Sequence, residues 1–182
     1  MEKEIKIAIS GKSGCGNTTI SRMVADSMGL EFINFTFRSL AAEKGIDLKK
    51  VLELAAQDDS WDREVDNRQV QMARDAQGCV LGSRLAIWML KEADLKVYLK
   101  ANPETRAKRI VKREGGNLKT VAEFTESRDR QDHDRYVRIY NIDIDSYQFA
   151  DLIIDTEKYA PLEITEIIMK KAYDIKTPPA SE

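Results

Sequence analysis

At 182 residues the chain fits one folded domain with short inserted lobes and is long enough to bury a substantial core. Its composition, 42% hydrophobic and 33% charged, suits a globular molecule with a heavily charged surface, and 29 basic residues against 31 acidic ones leave a net charge of −2. That balance argues against a protein built to coat nucleic acid, while leaving room for a local basic pocket for a small polyanion.

The only two cysteines, Cys15 and Cys79, are too few for a small secreted scaffold and read as reduced thiols of a cytosolic protein. The opening MEKEIKIAIS, a short apolar run broken by charges, is unlike a secretory signal. No stretch approaches the roughly 18 apolar residues of a membrane span. The expectation is a soluble, cytoplasmic protein with no membrane and no nucleic-acid partner.

In chain order, Ile5 to Ile9 predicts a buried strand, followed by a glycine-rich turn and a helix from Thr18 to Met28 closed by Gly29. Glu31 to Phe35 reads as a short strand. Residues 36–76 read as mostly helical, broken at Gly45 and again at Gln57-Asp58-Asp59-Ser60. Cys79 to Leu81 and Leu95 to Leu99 are further buried strands. Pro103 opens a helix that Gly115-Gly116 stops after Glu114, and a long charged helix covers Leu118 to Tyr140. Leu152 to Asp155 is a last strand, a helix runs from Pro161 to Tyr173, and the tail 177–182 is expected to be disordered. Apolar strands alternating with helices call for an α/β fold with a parallel β-sheet covered on both faces.

The run Gly11-Lys12-Ser13-Gly14-Cys15-Gly16-Asn17-Thr18-Thr19 lies between the first strand and the first helix. Glycines let the backbone curl so that successive N–H groups point inward, and the helix N-terminus adds positive potential. The bland alternative is a glycine-rich turn with no ligand, but three glycines in this strand–helix setting favour phosphate binding. Against the pattern G-x-x-x-x-G-K-[ST], Gly11 and Gly16 match the glycines and Thr18 matches the hydroxyl that ligates Mg²⁺. Asn17 stands where the lysine belongs, and Lys12 is the nearest replacement for its charge.

Further along the chain come Phe37-Arg38, Val80-Leu81-Gly82-Ser83-Arg84-Leu85-Ala86, Arg135-Tyr136, Tyr140-Asn141-Ile142-Asp143-Ile144-Asp145 and Asp151 to Lys158. In this order and spacing, with the loop, the chain resembles the compact cytidylate kinases of the archaeal type over nearly its whole length. The resemblance implies a P-loop NTPase fold that moves the γ-phosphoryl group of ATP, with Mg²⁺, onto CMP or dCMP. It also implies a single domain over 1–176, with a core (1–35, 77–112 and 150–176), a helical acceptor lobe (about 36–76) and a helical lid (about 113–149). The family's usual Leu-Glu-Gly-Arg is here Leu81-Gly82-Ser83-Arg84, so an acidic residue is missing beside the phosphates.

Arg128, Asp132 and Arg135 share one helix face. A solvated Arg–Asp pair is the bland reading. The resemblance implies instead an element that holds the acceptor's sugar and phosphate. It likewise makes Arg38 an acceptor-phosphate ligand. Arg84 ends a buried strand at its C-terminal edge, where open α/β sheets place ligands, and there needs an anion such as that phosphate. Asp66 and Arg68 are candidates for reading the base edge. Among Arg106, Arg109 and Arg113, which share a face, Arg109 and Arg113 are the choices for stacking on adenine and neutralising the transferring phosphoryl group; surface pairing with Glu104 or Glu114 is the alternative. Lys12, Arg109 and Arg113 are thus the catalytic candidates. His133 is expected at the surface, and Trp61 and Trp88 in packing. The partners are small-molecule nucleotides, with a monomer favoured and a dimer left open. Two other readings stand beside this one: a related small-molecule kinase acting on shikimate or dephospho-coenzyme A, and a nucleotide-binding regulator with weakened catalysis, suggested by Asn17 and Gly82.

Overall fold

The computed structural model describes residues 5–177. The expectation for the tail falls, Thr177 apart, outside the described residues. Five strands, β1 (Lys6–Gly11), β2 (Glu31–Ile33), β3 (Cys79–Gly82), β4 (Leu95–Lys100) and β5 (Leu152–Asp155), form one sheet in the order β2-β3-β1-β4-β5. Every pairing is parallel, with Ile7 opposite Val80 on one side and Leu95 on the other.

Parallel strands need crossovers, and helices supply them on both faces. On one face Ile7, Ile9, Val80, Val97 and Leu99 pack beneath α1 (Asn17–Met28) and α8 (Pro161–Lys176), through Ile20, Val24, Ile164 and Ile168. On the other face Ala8, Leu81 and Tyr98 meet Val70 and Ala73 of the helix Ser60–Asp75 and Ile87 of the short helix Ala86–Met89. Residue alternation along β1 therefore feeds two separate cores, which is why the strand reads as one unbroken apolar run.

The segment 36–76 forms three helices: α2 (Phe37–Lys44), α3 (Leu48–Ala55) and α4 (Ser60–Asp75). The breaks are those expected: Gly45 closes α2 with φ of 64°, and Asp58 accepts from the Ser60 N–H and hydroxyl ahead of α4. Next come α5 (Ala86–Met89), which sequence periodicity does not reveal because four residues make barely one turn, then α6 (Pro103–Glu114) and α7 (Leu118–Tyr140). Asn102 and Asn117 cap α6 and α7 by accepting from amides of the first turn. Trp61 and Trp88 sit in packing positions, in two different apolar clusters. Among the described residues no helix is long and apolar enough to cross a membrane.

Candidate active site

The sheet order puts β1 between β3 and β4, so the connections leaving β1 and β3 diverge. A crevice opens between their C-terminal ends, the usual ligand position in such sheets. The loop after β1 fills one side of it. Gly16 begins α1 with φ of 88° and offers no side-chain cap, and no acidic residue lies in the first turn. The first amides of α1 are therefore available to an anion.

Two guanidiniums hold the loop from behind. Arg106, 5% exposed, donates to the Ser13 carbonyl at 3.1 Å and to Asp129 Oδ2 at 2.6 Å. Arg109 donates to the Gly14 carbonyl at 3.2 Å, and to the Thr156 hydroxyl and carbonyl at 2.7 Å each. The approach is backbone to backbone: a Cβ at Gly14, where φ is 83°, would stand 2.7 Å from the Arg106 carbonyl oxygen. Sequence reasoning named the face that Arg106 shares with Arg109 and Arg113 but passed over Arg106, whose loop and α7 partners are distant in the chain.

Asn17 is occupied as a bracket. Its Nδ2 donates to the Ile9 carbonyl at 3.0 Å and the Ser83 carbonyl at 3.4 Å, while its Oδ1 accepts from Ser21 Oγ at 2.9 Å. This joins the end of β1, the start of α1 and the exit of β3. Gly82 lies against the bracket: a Cβ there would stand 2.6 Å from Ser21 Oγ and 3.1 Å from Asn17 Oδ1. The two departures from the family pattern thus meet in space, and a side chain at position 82 would force Ser21 to shift.

In front of the bracket is a cleft of about 400 Å³, running from Gly11–Thr19 to Asn34, Thr36 and Ser83, with Lys12, Arg84, Arg113 and Arg128 on its wall. Arg84 pairs with Asp132 through Nη1 and donates to Ser13 Oγ at 2.5 Å through Nη2. Asp132, 5% exposed, also receives Arg135 Nη2 at 2.9 Å, and Arg135 Nε lies 3.3 Å from Asp62 Oδ1. Arg84, Asp132, Arg135 and Asp62 so form a chain of alternating charge leading from the cleft to α4. Only Arg84 of that chain lines the cleft. Partial desolvation, and then the neighbouring Arg84, lower the Arg128 pKa from its ordinary value. Lys12 Nζ lies 2.6 Å from Asp145 Oδ1. Thr18 stands exposed at the cleft, and the Ser83 hydroxyl there is buried without a partner among the described residues. Both are hard oxygen donors of the kind Mg²⁺ accepts beside substrate phosphates.

A second cleft, of about 360 Å³, lies behind the loop between Arg109, Arg113, Thr156 and Tyr159, over Gly14, Cys15 and Thr19. Burial pushes the Cys15 thiol up from its ordinary pKa. Arg113, on the rim of both clefts, pairs with Glu114 at 2.5 Å.

The remaining candidates lie outside these clefts. Asp66 accepts from Tyr140 Oη at 2.7 Å and Gln69 Nε2 at 3.1 Å. Its carboxyl is pushed up to about 6 by burial, opposed by the Tyr140 hydrogen bond. Gln69, 3% exposed, leaves its Oε1 without a partner among the described residues and was missed by the sequence reading. Arg68 is on the surface, 3.2 Å from Glu43 and over the Phe35 ring. Arg38 is exposed at the start of α2, with no ion pair among the described residues. His133 is half-buried, its Nε2 3.3 Å from Asp143.

An open parallel sheet with an uncapped glycine loop at its switch point defines a P-loop kinase fold. The shikimate kinase of Acinetobacter baumannii, solved in complex with shikimate, shares that fold with a TM-score of 0.65 at 17% identity, over 97% of each chain. The family model described as "Cytidylate kinase-like family" matches residues 6–158, and the chain belongs to that family. It is 49% identical over 168 residues to cytidylate kinase 2 of Borreliella burgdorferi, covering 90% of this chain and 93% of that one. It is 40% identical over 174 residues to the cytidylate kinase of Archaeoglobus fulgidus, covering 94% and 96%.

Proposed function

We propose that the chain is an ATP-dependent cytidylate kinase of the cytoplasm, transferring the γ-phosphoryl group to CMP or dCMP. The observation that carries the reading is the single cleft that joins uncapped loop amides to a wall of four cations, in a chain whose relatives bear that name. Likeness to shikimate kinase reaches only the fold, so a shikimate-type substrate is not favoured.

In the transfer, an oxygen of the acceptor phosphate attacks the γ-phosphorus in line as the bond to the β-bridging oxygen breaks, giving CDP and ADP. The protein supplies position and dispersed positive charge. The amides of Gly11–Thr19 and Lys12 hold the donor phosphates, and Thr18, with Ser83 lining the same cleft, would hold Mg²⁺, which supplies further charge neutralisation. Arg109 and Arg113 flank the second cleft as a seat for adenine. Arg84 meets the acceptor phosphate directly, with Arg38 approaching from the lobe 36–76 and Arg128 and Arg135 from the lid 113–149. Asp132 aims Arg84 and Arg135 together. Asp66, with Gln69 beside it, reads the base; Arg68, paired at the surface, is the weaker member of that group.

Coupled ADP release over a panel of nucleoside monophosphates with ATP and Mg²⁺ tests the reading. CMP or dCMP is expected to exceed AMP and GMP at least about tenfold in kcat/KM, roughly 1.4 kcal/mol of discrimination. Equal rates across the panel, or none with any acceptor, sink it.

A further inference from the structure

The ion pair between Lys12 and Asp145 joins the loop to the segment that returns from α7 to β5. That segment is pinned on both sides of the carboxylate. Ile144, 4% exposed, packs with Leu85 and Tyr136. Tyr147 stacks on the buried Tyr98, with centroids 3.9 Å apart and planes 5° from parallel. Just ahead of them Asp143 closes the turn, accepting from the Asp145 N–H and the Ser146 hydroxyl at 2.8 Å each. The backbone that carries Asp145 is therefore fixed, while Lys12 reaches it on a flexible stem.

Such an arrangement does little for folding. With Lys12 27% and Asp145 54% exposed, the pair belongs to the solvent-screened class that contributes little to stability. Its value lies in aiming a charge. A lysine ammonium has three N–H donors, and one given to a carboxylate leaves two in defined directions. The rotamer freedom of a long lysine side chain is then given up before substrate arrives. Protein kinases meet the same need with a carboxylate paired to their phosphate-binding lysine.

We propose that Asp145 is a positioning residue for phosphoryl transfer, holding the Lys12 ammonium at the rim of the cleft so that its two other N–H groups face the donor phosphates. The proposal rests on the reading of Lys12 as the loop's charge donor, and it explains how a lysine displaced from the usual position acts from a defined place.

A double-mutant cycle of Lys12→Ala and Asp145→Asn tests it, read by steady-state kinetics with ATP and CMP. Binding of a fluorescent ATP analogue, which needs no acceptor, is measured alongside, so failure of the CMP assignment leaves a readout. Lys12→Ala is expected to lower kcat by about 10²–10³. Asp145→Asn is expected to lower kcat/KM for ATP about tenfold and weaken analogue binding, yet to change either by less than about twofold once Lys12 is Ala. Asp145→Glu recovers most of the loss, and the urea midpoint of each variant stays at the wild-type value. Unchanged or improved use of ATP by Asp145→Asn, or an equal loss in both backgrounds, overturns the proposal. Wild-type turnover and analogue binding in Lys12→Ala overturn the loop-lysine reading and this one together.

Discussion

Asp66 sits on α4 with its carboxyl pushed up to about 6 from 3.8, burial being the largest cause and the Tyr140 hydrogen bond working against it. The folded state therefore binds a proton that the unfolded chain has already released, and stability falls as pH climbs through that interval. Chemical denaturation at a series of pH values is expected to show wild-type stability dropping between about pH 4 and pH 6 by more than that of Asp66→Asn. Parallel curves for the two proteins place the raised carboxyl elsewhere. At this same scale the sequence was only partly legible. Asp66 was visible as a candidate for reading the base edge, alongside Arg68. Its partners Tyr140 and Gln69 were not visible as such, since the first is joined to it only by tertiary packing.

Between elements, the decisive contact is where α1, β1 and β3 meet. Read along the chain, Asn17 is a missing charge and Gly82 a missing acid; in the fold they are two sides of one close approach. A methyl group at Gly82 would press on Ser21 Oγ at 2.6 Å and Ser21 Cβ at 2.7 Å. Ser21 is 0% exposed, and its hydroxyl is committed to Asn17. Gly82→Ala is thus expected to cost about 1–3 kcal/mol, the usual penalty of overpacking, measured as a lower urea midpoint with m unchanged. A wild-type midpoint would mean that the bracket yields at no cost. The glycine here serves closeness of approach, and a carboxylate could not be restored at 82 without dismantling the bracket.

Across the whole molecule, the cations of the cleft come from different parts of the chain. Lys12 belongs to the loop, Arg84 to the exit of β3, and Arg113 and Arg128 to α6 and α7. Arg38 stands apart on α2. A nucleotide pair spanning these elements should tie them together. At 100 times Kd a ligand that binds only the folded state adds about 2.7 kcal/mol. Calorimetry is expected to show CMP and an unreactive ATP analogue each raising Tm. In Arg38→Ala, the increment from CMP should shrink as its Kd rises by about 1.5–3 kcal/mol, while that from the ATP analogue persists. Loss of both increments, or of neither, removes Arg38 from the acceptor side.

By itself the sequence determined the succession of strands and of every helix but the one-turn α5, because apolar runs, Pro103 and the glycines at 29, 45 and 115–116 act over a few residues. It also located the glycine loop between β1 and α1, whose glycine spacing and strand–helix setting are local. Only the tertiary structure decided the order β2-β3-β1-β4-β5, which depends on pairing between distant segments. The same is true of which charges meet. The partners of Arg84, Arg106 and Lys12 are Asp132, Asp129 and Asp145, and no periodicity along the chain announces a pair formed across a cleft. Helix spacing placed Asp132 beside Arg128 and Arg135, but the packing of α7 against the exit of β3 gave it to Arg84 as well as Arg135. A charge is visible in the sequence as a residue type; its partner is chosen by the path of the backbone.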